Sequence, residues 1–142
     1  MELFVHNDIN DIDAETWNAL ISKDNIFHQH HFLSLLNESK VEDAVMKFLT
    51  IRKDDTIIAT AVLSLFEINL DLFIGDSGII HVIKRTFPNF FKIKVAFCGT
   101  PISAGHKNIF FQDPKIQDQI LELIAPYFDQ YCKKKQNKIR NF

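Results

Sequence analysis

MKFLTIRKDDTIIATAVLSLFEI, running from Met46 to Ile68, is the stretch that decides the fold. Two runs rich in β-branched and apolar residues, Met46 to Arg52 and Thr56 to Ile68, flank the short polar turn Lys53-Asp54-Asp55, which is the pattern of a β-hairpin. In the second run Ile57, Ala59, Ala61, Leu63 and Leu65 share one face, while Ile58, Val62 and Phe66 share the other. A strand that is apolar on both faces belongs at the centre of a sheet covered from both sides. The fold class this implies is α/β (α+β), with a mixed, largely antiparallel sheet flanked by helices.

Upstream of the hairpin, Leu3, Phe4 and Val5 begin a short strand, and Asp13 stands as an N-cap before a helix that starts near Ala14. Trp17, Leu20 and Ile21 fall at helical spacing, Lys23-Asp24-Asn25 interrupts them, and a second helix is predicted from His30 to Glu38. Its apolar face is assigned to Phe32, Leu33, Leu35 and Leu36. Downstream, Gly75 to Gly78 reads as a turn, and Ile79, Ile80, Val82 and Ile83 read as a short helix ended by Phe87-Pro88. Lys92 to Cys98 is a further strand, broken at Gly99-Thr100-Pro101, with a loop to His106. Asp113 then caps a long helix with Pro114 at its first position, where the missing N–H costs nothing. Ile116, Ile120, Leu123, Ile124, Tyr127, Phe128 and Tyr131 give that helix its apolar stripe. Pro126 is expected to kink it, and Lys133, Lys134 and Lys135 suit its C-terminal dipole.

The chain of 142 residues suits one domain, and its 46% apolar content sets it apart from disordered sequences. Phenylalanine outnumbers the other aromatics, 14 against 2 Tyr and 1 Trp, and rings without a polar handle belong in cores or interfaces. A formal net charge of −2 gives no electrostatic reason to expect nucleic acid or an anionic membrane as a partner. No apolar run is long enough to span a bilayer, and the first residues lack the layout of a signal peptide, so the expected location is the cytoplasm. In that compartment Cys98 and Cys132 are expected as buried free thiols, with a disulfide between them as the alternative.

Trp17-Asn18-Ala19-Leu20 followed by Phe27-His28-Gln29-His30-His31-Phe32-Leu33-Ser34-Leu35-Leu36 resembles the opening helices of the GNAT (acyl-CoA N-acyltransferase) fold, in its Fem-like, peptidoglycan-synthesis-type branch. Phe97-Cys98-Gly99-Thr100-Pro101-Ile102-Ser103 and the helix after Asp113 are similar to the middle of the same group. The resemblance implies a single GNAT-like domain over residues 1–142, C-terminally incomplete, forming the acceptor-side half of an N-acyltransferase that is inactive alone. It also implies a small-molecule amine as acceptor, and acyl-CoA as a cofactor of a complete enzyme only. Two features depart from the pattern. The Arg/Gln-x-x-Gly-x-Gly/Ala turn that holds the CoA diphosphate on a helix N-terminus does not occur, and the strongest helix opens with the carboxylate of Asp113 instead. Lys138 to Phe142 also reads as the first residues of another strand.

Four sets of residues could carry chemistry. His28, His30 and His31 form the densest group of metal-ligand types, but His30 and His31 are about 100° apart around a helix and cannot both face one ion, so no metal is expected. Gly99, Thr100, Ser103 and Gly105, with His106 and Lys107, make the most phosphate-like loop, though its spacing matches no phosphate-binding motif. Cys98 ends a strand without a histidine fixed beside it, which favours an inert thiol. Glu67 and Asp71 lie where a general base for an amine would sit, or where ordinary solvated carboxylates would. None of these identifies a catalytic or cofactor-binding residue. The competing expectation is a non-catalytic binding or structural domain whose Phe-rich surface pairs with another chain. Either reading expects self-association or a complementary C-terminal half as the partner.

Overall fold

The central hairpin is turned by two aspartates. In the computed structural model, which describes residues 1–39, 44–69, 85–86, 92–103 and 107–137, Lys53 already faces Thr56 across the ladder. The loop is therefore Asp54-Asp55 alone, with φ of 49° and 62°. Two successive left-handed residues are the signature of a type I′ turn, whose twist matches that of the strands it joins. The turn is one residue shorter than Lys53-Asp54-Asp55 because Lys53 keeps its place in the strand.

Five strands form one antiparallel sheet: β1 (Glu2–His6), β2 (Val45–Lys53), β3 (Thr56–Asn69), β4 (Lys92–Cys98) and β5 (Ile109–Phe111). The order is β1-β2-β3-β4, and β5 also pairs with β3. Leu63 to Asn69 of β3 face β4, and Ala59 to Ala61 face β5, so β4 and β5 lie in one line along the same edge. The chain leaves this line after Cys98 and rejoins it at Ile109. Three helices of more than one turn, α1 (Ala14–Asn18), α2 (His30–Ser39) and α3 (Gln117–Asn137), complete the described elements, with 3-10 turns at Ile9–Asp11, Ile26–His28 and Pro114–Ile116.

Both helix starts named from the sequence are capped. Asp13 accepts from the Thr16 amide at 2.8 Å, and Asp113 accepts from the Lys115 amide at 2.9 Å. A 3-10 turn at Pro114–Ile116 leads into α3, which continues through Pro126. The short helix expected at Ile79 to Ile83 and the turn at Gly75 to Gly78 lie outside the described residues.

β3 is covered on both faces, as its pattern implied. On one face Phe48 and Val62 pack with Ile9, Trp17 and Leu33 beneath α1 and α2. Trp17 meets Phe48 edge-on at 6.3 Å and donates its indole N–H to the His28 carbonyl at 2.9 Å, so its polar atom is satisfied inside the core. On the other face Leu49, Ile51, Ala59, Ala61 and Leu63 pack with Ile120 and Ile124 of α3. The face of α3 is the expected one, with Leu123 and Tyr127 closing over its flank.

Two assignments made from periodicity change. The ladder shifts register between Ile51 and Arg52, so Ile58 joins Ala59, Ala61 and Leu63, and Ile57 packs with Val62 on the other side. A bulge of one residue reverses every side chain beyond it, and strict alternation cannot foresee where it falls. On α2, Leu33 and Leu36 are buried but Leu35 is 52% exposed, so the apolar face is narrower than the four residues named for it. Among the described residues no helix is long and apolar enough to cross a membrane.

Candidate functional site

The interruption between β4 and β5 is the most structured irregularity in the sheet. Gly99 extends the ladder one step past β4, donating its N–H to the Val62 carbonyl at 2.7 Å while its own carbonyl accepts from the Ser64 hydroxyl at 2.5 Å. Its φ is +138°, a region open to glycine and costly for other residues. A tight turn follows. The Ser103 amide donates to the Thr100 carbonyl at 3.0 Å, and the Thr100 amide donates to the Ser103 hydroxyl oxygen at 2.9 Å. The Ser103 hydroxyl has one proton, and two acceptors face it: the Thr100 carbonyl at 3.1 Å and the Asn108 side-chain oxygen at 2.9 Å.

This wiring makes Gly99, Thr100 and Ser103 part of a connection between strands and not a phosphate cradle. A phosphate cradle needs backbone amides aimed at open space. Here the amides of all three residues are already paired within the protein. Gly105 and His106 lie outside the described residues.

Beside the turn, a notch of about 380 Å³ opens between the end of β4, the start of β5 and the first turns of α3. Cys98, Ile109, Phe111 and Leu121 make its apolar wall, and Lys107, Asn108 and Gln117 supply its polar side. The Lys107 ammonium lies 4.3 Å from the centre of the Phe111 ring and 5.7 Å from that of Phe110. Burial pushes the Cys98 thiol above its ordinary pKa, so it stays protonated near neutrality and makes a poor nucleophile, in line with the inert thiol expected. Both cysteines are free, but each is half-buried and not fully buried as expected. A second notch, of about 300 Å³, lies at the turn end of the hairpin. Glu2, Arg52, Lys53, Asp54 and Asp55 line it with charges of both signs, and the Arg52 guanidinium lies 5.0 Å from the centre of the Phe4 ring.

The three histidines go three ways. The His28 ring is buried and lies 5.0 Å from that of Phe110. His30 places Nε2 at 3.0 Å from the carbonyls of both Ile9 and Ile12, tying α2 to the first 3-10 turn, and His31 is exposed. Among the described residues no group of three or more His, Cys, Asp or Glu side chains is arranged to hold a metal ion. Because His28, His30 and His31 face different surroundings, zinc is expected to leave the melting temperature unchanged. One tightly held zinc per chain, lost in a His28/His30/His31 triple-alanine variant, would contradict this.

Glu67 sits within β3 and pairs with Lys92 at 3.1 Å, both side chains being well exposed, so it serves the sheet surface. Asp71 lies outside the described residues. Sequence reading missed β5 and with it the notch. Ile109-Phe110-Phe111 is too short a run to show alternation, and its only signal is its place between a Gly-containing loop and Asp113-Pro114.

Fold and site together define an open antiparallel α/β sheet, helix-covered on both faces, with an apolar notch in one edge line. No protein-family model matches this chain, and neither a curated protein nor a solved structure does.

Proposed function

We propose that this chain forms the acceptor-side half of a GNAT-like N-acyltransferase and is inactive by itself. The observation that carries the reading is the order of elements: a strand, two helices, an antiparallel hairpin, then an interrupted outer strand leading into a long helix on the sheet. In such an enzyme the amine nitrogen attacks the acyl carbonyl carbon, the bond to the donor sulfur breaks, and the nitrogen gives up a proton. Catalysis of this kind rests on positioning and on polarising the carbonyl.

The donor is a different matter. The Asp113 carboxylate caps the 3-10 turn that leads into α3, and the amides of Gly99, Thr100 and Ser103 are paired within the protein, so neither place resembles a diphosphate cradle. Acetyl-CoA is expected not to bind this chain, and calorimetric titration checks it. Micromolar or tighter binding would refute the claim that these residues hold no donor. The acceptor side is tested by titrating small primary amines and following backbone amide resonances. Saturable shifts confined to one contiguous surface support the proposal, and no shift with any amine sinks it.

One observation favours a second reading, a binding domain without catalysis. Among the described residues lining the notch there is no carboxylate and no histidine to receive a proton from an amine. Amine binding with no acylated product in the presence of a donor-binding partner chain would select this reading.

A further inference from the structure

We propose that the notch between β4 and β5 binds a small amphipathic anion, specifically a medium-chain carboxylate, with its chain along Ile109, Phe111 and Leu121 and its head at Lys107. The inference stands apart from the acyl-transfer reading, because it uses only the walls of the notch. At about 380 Å³ the space is at the small end of the range of roughly 300–1,000 Å³ typical of sites for small organic molecules. Such sites combine apolar walls with a few placed polar groups, and this one has four apolar or thiol side chains against three polar ones.

Charge decides the class of ligand. Lys107 brings the single formal charge among the described lining residues, and no carboxylate lies within ion-pair distance of it among those described. Lys107 is exposed, but its ammonium lies over the Phe111 ring, which places the charge beside the apolar wall. The nearest acidic groups in sequence are otherwise placed: Asp113 caps the Lys115 amide, and Asp118 is exposed on the first turn of α3 and does not line the notch. The side-chain amides of Asn108 and Gln117 stand on the same polar side, and each can donate to a carboxylate oxygen. Cys98 is held neutral by burial, so it adds no negative charge to oppose an anion. A neutral alcohol of the same length would fill the wall and leave Lys107 unanswered.

Cys98 also supplies the readout, since it lines the notch and the chain's other cysteine, Cys132, is removable as Cys132→Ser. The experiment measures the rate of Cys98 alkylation by iodoacetamide in that variant, with octanoate or octanol added below their aggregation limits. Octanoate at about four times its dissociation constant is expected to slow alkylation about fivefold, in proportion to one plus the ratio of ligand to dissociation constant. Octanol at the same concentration is expected to slow it far less. Lys107→Met keeps the apolar stem and removes the charge, so it should abolish the preference for octanoate without changing the melting temperature. Equal protection by alcohol and carboxylate would overturn the proposal, as would no protection by either. Octanoate protection that survives Lys107→Met would overturn it too.

Discussion

Ile124→Asp is expected to unfold this domain. Ile124 is 4% exposed and Ile120 is 1% exposed, and both press on the Leu49, Ile51, Ala59, Ala61 and Leu63 face of the sheet. Losing the burial of a large aliphatic side chain costs about 1.5–3 kcal/mol. A carboxylate in the same place adds several kcal/mol more, whether it stays charged or takes up a proton to avoid the penalty. Domains of this size hold only about 5–15 kcal/mol in total, so the sum reaches the scale of the whole stability. Leu121→Asp is the control, since Leu121 is 39% exposed on the same helix and its loss should cost little. Urea or thermal unfolding followed by circular dichroism measures both. If Ile124→Asp melts within roughly 2 °C of the parent, α3 does not pack on the sheet through this face.

How much of this was legible in the sequence varies with the physics of each element. β3 was legible because apolar residues at both parities leave no solvent face, and α3 because its stripe from Ile120 to Tyr131 recurs over about three turns. The helix starts were legible because Asp13 and Asp113 act locally, each bonding an amide two or three residues ahead. The bulge at Ile51/Arg52 was not, since it is set by how two strands meet and not by either alone. Leu35 was misplaced for a related reason. Its spacing suits the core, but α2 turns a narrower face inward, and which residues reach that face depends on the tertiary angle of packing. The notch was illegible because it joins residues from β4, β5 and α3 that no local pattern links. The loop is instructive in another way. Gly99, Thr100 and Ser103 have the composition of an anion site, but the Gly99 amide is taken by β3 and the other two close the turn. Composition reports which amides are free to approach a ligand sterically, and only the hydrogen bonds report which are free to bind one.

Gly99→Ala is expected to disrupt the edge from which the notch is built. A Cβ at this position would stand 2.6 Å from Cγ and Oδ1 of Asn108 and 2.6 Å from Cε1 of Phe97. Contacts that short force a neighbour to move, and Asn108 is not free to do so cheaply. Its Oδ1 is one of the acceptors facing the Ser103 hydroxyl, while the Phe97 ring is only partly buried at its place in β4 opposite Ser64. The backbone adds a second cost, because φ of +138° strains any residue with a side chain. Strain of this kind costs about 1–3 kcal/mol, and crowding in a packed site adds about 1–3 kcal/mol. Together they should lower the melting temperature by about 10 °C. Pairing Gly99→Ala with Asn108→Gly separates the two causes. Removing the Asn108 side chain relieves part of the crowding and leaves the φ strain untouched, so the double variant should regain some stability but not all. Full recovery would mean that crowding alone makes glycine necessary, and no recovery would place the whole cost in the backbone and Phe97. The same variant reports on the notch, since Cys98 precedes Gly99 and Asn108 lines the opposite wall. If the edge gives way, alkylation of Cys98 should accelerate. A Gly99→Ala protein with parental melting and parental Cys98 reactivity would mean that the β4–β5 interruption is not held by the contacts described.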